Sequence, residues 1–125
     1  MNNPLALIIE DEEDIAVLCS HVLKSLGFET EIIHTGEAAL ERLAIIVPAV
    51  VLLDLNLPPG ISGAAILRRI RADKRLAATR AIVVTGQPAI AETLQDEADL
   101  VLLKPFSISQ LSDLVSRLHP TGSSD

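Results

Sequence analysis

The sequence predicts an α/β domain, a doubly wound five-stranded parallel sheet with helices on both faces. Two observations carry this. Short, bounded apolar runs such as Leu5–Ile9 and Leu100–Leu103 recur along the chain, the mark of strands buried on both faces. Between them lie amphipathic segments with helical spacing. Five strand–helix units in a row need right-handed crossovers, which lay helices over both faces of a parallel sheet.

The first strand is Leu5–Ile9. Ile15, Leu18, Cys19, Val22 and Leu26 then follow the spacing of one helix face, with Gly27 as the stop. Phe28–Ile33 alternates more, with Glu29 and Glu31 interleaved with Thr30 and Ile32, as an edge strand with a wetter face does. Thr35 is placed to cap a second helix running through Leu40 and Leu43. Ala49–Leu53 is a buried strand ending at Asp54, followed by a Leu57-Pro58-Pro59-Gly60 loop. A third helix over Gly63–Ala72 turns Ile66, Leu67 and Ile70 inward. Ala81–Val84 is the fourth strand, ending at Thr85, and Pro88 opens a short helix through Ile90 and Leu94. Leu100–Leu103 is the fifth strand, ending at Lys104. Ile108, Leu111, Leu114, Val115 and Leu118 mark the last helix, which Pro120 halts.

Composition narrows the function classes. The chain has 125 residues, 49% hydrophobic and 22% charged, a balance that suits one compact domain over 1–120 with a frayed polar tail at 121–125. It carries a net charge of −7, no Lys/Arg cluster stands out, and only two aromatic residues are present, so direct nucleic-acid binding is not expected. No apolar run is long enough to cross a bilayer and no signal peptide is visible, so no membrane partner is expected. A lone cysteine, Cys19, fits a reducing cytoplasm and core packing.

The polar residues that follow the strands carry the chemistry. Glu10 and Asp11 follow the first strand, Asp54 ends the third, Thr85 the fourth and Lys104 the fifth. Sites in open α/β sheets form beyond the carboxyl ends of strands, so these side chains converge if their strands are neighbours. Three close carboxylates either hold protons or bind a hard cation such as Mg²⁺. A carboxylate is also a competent phosphoryl acceptor, and a divalent cation, an ammonium and a hydroxyl suffice to stabilise the transfer.

At these residues the chain resembles the bacterial response-regulator receiver family. The likeness rests on Leu7-Ile8-Ile9-Glu10-Asp11-Glu12, Val51-Leu52-Leu53-Asp54-Leu55-Asn56-Leu57-Pro58, Val83-Val84-Thr85-Gly86 and Leu103-Lys104-Pro105-Phe106, in that order. The resemblance implies a flavodoxin-like sheet with strand order 2-1-3-4-5, a cis Lys104–Pro105 bond, and a two-component phosphorelay role. It implies Asp54 as phosphoacceptor. Mg²⁺ would be held by Asp11, Asp54 and the Asn56 backbone carbonyl, with Glu10 acting mainly through water. Lys104 and Thr85 would bind the phosphoryl oxygens. The implied partner is a sensor histidine kinase or phosphotransfer protein in the cytoplasm. A downstream target or output domain is unspecified, and a homodimer is left open. Such a chain catalyses only its own phosphorylation and dephosphorylation.

Three departures stand out. Val101 occupies the position where the family usually has an aromatic. Thr85 to Val101 is sixteen steps, roughly three fewer than usual, which shortens the fourth helix by nearly one turn. The loop after Asp54 is about one residue longer than common. These predict an intact acceptor site with an altered readout, and little change at the fifth strand on activation. A rival reading is a constitutive interaction module whose output ignores phosphate. A third, a small-ligand flavodoxin-like domain, lacks the Gly-rich phosphate loop it needs. Glu12, Glu13 and Asp14 read as a solvated helix start, His21, His34 and His119 as structural or exposed, and Arg68, Arg69 and Arg71 as solvated surface.

Overall fold

The computed structural model of the chain describes residues 3–118; His119, the stop assigned to Pro120 and the tail lie outside the described residues. The strands are β1 (Leu5–Ile9), β2 (Glu29–Ile33), β3 (Val50–Asp54), β4 (Arg80–Thr85) and β5 (Leu100–Leu103). The helices are α1 (Glu13–Ser25), α2 (Gly36–Leu43), α3 (Gly63–Ala72), α4 (Pro88–Leu94) and α5 (Ile108–Leu118). All pairings are parallel and the sheet order is β2-β1-β3-β4-β5, as expected. At seven residues, α4 is the shortest of these five helices. A single 3₁₀ turn at Lys74–Leu76 was not foreseen.

Alternation along the strands divides the core between the two faces. Leu7, Ile9, Val51, Leu53 and Val83 pack with residues of α2, α3 and α4. Ala6, Ile8, Val50, Leu52, Ile82 and Val84 pack with α1 and α5. Both faces of the three central strands are thus dry, which is why those strands read as unbroken apolar runs.

Local chemistry sets the helix ends. Gly27 has a positive φ of 98° just past α1, a conformation that glycine adopts without steric cost. Thr35 caps α2 by accepting from the Ala38 amide, and Ser62 caps α3 by accepting from Ala65. Ser107 and Gln110 exchange hydrogen bonds at the start of α5, a capping box the sequence reading passed over.

Several expectations need correction. Leu18 was assigned to the apolar face of α1 but is 43% exposed. That helix buries Cys19 and Val22 as expected and adds Ala16, Ser20 and Leu23, with Ser20 bonded to Thr30 Oγ1 at 2.6 Å. Ile108 opens the first turn of α5 and is 53% exposed, so the helix buries Leu111 and Val115 but not its first residue.

Arg71 is not solvated surface. Its guanidinium donates to the Glu97 and Thr79 carbonyls at 2.7 and 3.1 Å and pairs with Asp99, tying α3 to the chain that enters β5. The impression of dispersed basic charge also fails. Six of the ten Lys and Arg residues fall between positions 68 and 80. Of these, Arg71, Arg75 and Arg80 are engaged with Asp73, Asp99 or backbone carbonyls.

Candidate functional site

Parallel register lines up the C-terminal ends of β1, β3, β4 and β5. Ile9 pairs with Leu53, Asp54 with Val84, and Thr85 with Leu103, so the residues that follow share one edge of the sheet. Side chains alternate between faces along a strand. Asp54 therefore projects to the same side as Val50 and Leu52, whereas Thr85 projects with Ala81 and Val83 to the other.

Asp54 is 2% exposed and both of its carboxylate oxygens are engaged. Lys104 Nζ donates to Oδ2 at 2.7 Å, and the Asn56 backbone N–H donates to Oδ1 at 2.8 Å. The Lys104–Pro105 peptide is cis. Glu10 is 4% exposed; its side chain accepts from the Glu12 amide at 3.1 Å, and its own amide donates to the Ile33 carbonyl at 2.9 Å. Asp11 is exposed, and carboxylate oxygens of Glu10, Asp11 and Asp54 lie within 4.8 Å of one another. Thr85 is buried, with Oγ1 accepting from the Gln87 amide at 3.1 Å. It lines a 350 Å³ cavity with Asn56, Gly86 and Lys104.

The structure thus brings Glu10, Asp11 and Asp54 into one cluster, sets Lys104 on Asp54, and places Thr85 and Asn56 at the adjoining cavity. Cys19 is buried in the core on the face of the sheet that α1 and α5 cover. Burial and the charges of Glu10 and Asp54 push its thiol up to about 11, which removes it as a nucleophile.

The electrostatics tell what the cluster lacks. Burial, then a hydrogen bond to Asp54 and the Asp54 charge, pushes the Glu10 carboxyl up to about 8. Burial works against the Lys104 ammonium, but its bond to Asp54 and the charges of Asp54 and Glu10 outweigh that and hold it above its ordinary value. Two buried carboxylates facing one ammonium retain negative charge that either a proton or a cation must offset. The donors are all oxygen and one, Asp11, is open to solvent, which fits a hard divalent cation that keeps bound water.

The loop after Asp54 is held by close approaches. A Cβ on Gly36 would meet the Ile61 carbonyl at 2.3 Å, and one on Gly63 would meet Leu55 Cα at 2.9 Å. Gly60, with φ 131°, lies against Glu37, whose carboxylate accepts from the Ile61 amide at 3.3 Å. Sequence reasoning missed this packing of the loop on α2. It also left His34 out of the site, although its Nδ1 lies 2.8 Å from the Glu10 carbonyl oxygen. The signal available for His34 was its place immediately after the β2 run.

Comparison with known proteins agrees with this geometry. Residues 6–116 match the family described as the response regulator receiver domain. The DNA-binding response regulator MtrA of Mycobacterium tuberculosis (strain ATCC 25618 / H37Rv) is 32% identical over 105 residues, covering 84% of this chain and 46% of MtrA. The chain spans about half the length of the curated relatives it matches. Among solved structures, a CheY-like response regulator receiver domain from Methylobacillus flagellatus superposes with a TM-score of 0.83 at 27% identity. That match covers 94% of this chain and all of the other. The BeF3-activated DrrB receiver domain has a TM-score of 0.80 at 28% identity, covering 94% of this chain and 97% of that one.

Proposed function

This chain belongs to the response regulator receiver domain family, and we propose that it acts as a phosphoacceptor switch that takes a phosphoryl group onto Asp54. The observation that carries the reading is the Asp54 carboxylate, buried and oriented by Lys104 and Asn56 beside two further acids. A carboxylate oxygen of Asp54 attacks the phosphorus of a phosphohistidine on a partner kinase or phosphotransfer protein. The new O–P bond forms as the P–N bond breaks, and the imidazole leaves with its electron pair.

Asp11, Asp54 and the Asn56 carbonyl would hold Mg²⁺, with Glu10 acting mainly through water. The bound ion would supply charge neutralisation to the phosphoryl oxygens. Lys104 is assigned to move from the Asp54 carboxylate to a phosphoryl oxygen. Thr85 is assigned to release the Gln87 amide and donate its hydroxyl to the phosphoryl group, which would cross the sheet edge to reach it. That exchange gives the switch a local hydrogen-bond change to amplify. The receiver unit is assigned to 1–120.

The second reading, a constitutive interaction module, draws support from Val101. This half-buried aliphatic packs against the core where the family usually has an aromatic, so a Thr85–aromatic relay is not available there. Beryllofluoride, a tetrahedral mimic of the phosphoryl group, tests the two. With Mg²⁺ it is expected to shift the amide resonances of Asn56, Thr85, Gly86 and Gln87 in wild type and not in Asp54→Asn. Shifts confined to Asn56, with no change at Thr85–Gln87, would favour the constitutive module.

A further inference from the structure

Two acids of the site, Glu10 and Asp11, sit on a loop whose orientation is fixed from outside, by β2. The Glu10 amide donates to the Ile33 carbonyl at 2.9 Å, which continues the parallel ladder one step beyond β1. The Glu10 carbonyl then faces His34 Nδ1 at 2.8 Å. A carbonyl oxygen only accepts, so the proton of this bond is on Nδ1. β2 ends at Ile33, and the chain enters α2 through its cap Thr35, so the imidazole extends the bonded edge of β2 by one more bond. The far side of the ring is also engaged, with Nε2 at 3.1 Å from a Glu13 carboxylate oxygen. A carboxylate also only accepts, so this second approach is a bond only when Nε2 carries a proton as well, whereas the bond to the Glu10 carbonyl needs the Nδ1 proton alone.

A peptide unit is planar, so fixing the Glu10 carbonyl fixes the direction from which Asp11 leaves the chain. Asp11 is the exposed member of the acid cluster, and neither a strand nor a helix includes it. We propose that His34 is a positioning residue for the divalent-cation site. Its Nδ1–H, held on the Glu10 carbonyl, sets the Glu10–Asp11 peptide and with it the Asp11 carboxylate. The proposal rests on the reading of Glu10, Asp11 and Asp54 as that site. Groups that orient metal ligands from behind typically contribute about 10- to 100-fold in affinity.

The shape of the ring supplies the test. The amide nitrogen of asparagine can occupy the place of Nδ1, whereas that of glutamine reaches the place of Nε2. Mg²⁺ binding is measured by calorimetry at one pH on wild type, His34→Ala, His34→Asn and His34→Gln, alongside the Asp11 amide resonance of each metal-free protein. His34→Ala and His34→Gln are expected to bind Mg²⁺ about tenfold more weakly and to shift the Asp11 resonance. His34→Asn is expected to restore both. If wild type binds Mg²⁺ and His34→Ala binds it equally well, the positioning role is overturned. Rescue by Gln and not Asn would overturn the assignment to Nδ1. No Mg²⁺ binding by wild type would instead overturn the metal-site reading itself.

Discussion

At the C-terminal edge of the sheet, Glu10, Asp11 and Asp54 cluster and Lys104 pairs with Asp54; at the opposite edge, Asp99 lies between Arg71 and Arg80. Both clusters join elements distant in sequence, yet their charge balance is opposite. Asp99 also accepts from the Ala81 amide, so both of its carboxylate oxygens meet donors, from α3 and from the start of β4. Nothing remains to be supplied there, and the cluster works as a staple between α3, β4 and β5. The acidic edge is left short of positive charge, and burial first, then Asp54 beside it, drive the Glu10 carboxyl up to about 8. A satisfied charge cluster stabilises, whereas an unsatisfied one is a place for a ligand.

The contrast can be broken first at the staple. Arg71→Ala removes donors to two backbone carbonyls and the main partner of Asp99. It is expected to cost about 2 kcal/mol in urea unfolding, through the groups left unsatisfied. A loss near zero would mean that water replaces the guanidinium and that the two edges do not differ as described.

The acidic edge should respond to pH in the direction set by the buried Glu10 carboxyl beside Asp54. Glu10 titrates near 8 in the folded chain against an ordinary 4.5. Between those values the folded state binds the extra proton, so this contribution is complete below 4.5 and lost as pH rises through 8. The melting temperature of metal-free protein is expected to fall from pH 5.5 to pH 8.5, and to fall less with Mg²⁺ present. A flat or rising profile would contradict a Glu10 carboxyl raised by burial beside Asp54. Glu10→Gln is expected to flatten the profile and raise the melting temperature by a few degrees at pH 8. Smallest of all, Arg80→Ala removes a half-exposed pair with Asp99 and is expected to change stability by less than about 0.5 kcal/mol.

The sheet was legible because its burial is symmetrical. Strands dry on both faces write themselves as apolar runs, and the residues that end Val50–Asp54 and Arg80–Thr85 announce the edge where a site can form. Charged side chains that work inside the fold were not legible. Arg71 sits on α3 beside Arg68 and Arg69, and its partners Thr79, Glu97 and Asp99 lie at least eight positions away. Periodicity reports which face is apolar but not which cation will meet a carbonyl. His34 offered only its place after β2, since its partner is the Glu10 main chain, brought alongside by the β1–β2 pairing. Leu18 shows the converse limit: an apolar residue at the margin of a helix stripe remained exposed because α1 buries the narrower row through Ala16, Cys19 and Leu23.

The most direct test is the intact mass of the protein after incubation with a small-molecule phosphoryl donor, with and without Mg²⁺, for wild type and Asp54→Asn. One added phosphoryl group is expected on wild type with Mg²⁺, and none on Asp54→Asn or in chelator. An adduct that persists on Asp54→Asn, or no adduct on wild type even with a phosphohistidine donor, would contradict the assignment of Asp54 as the acceptor.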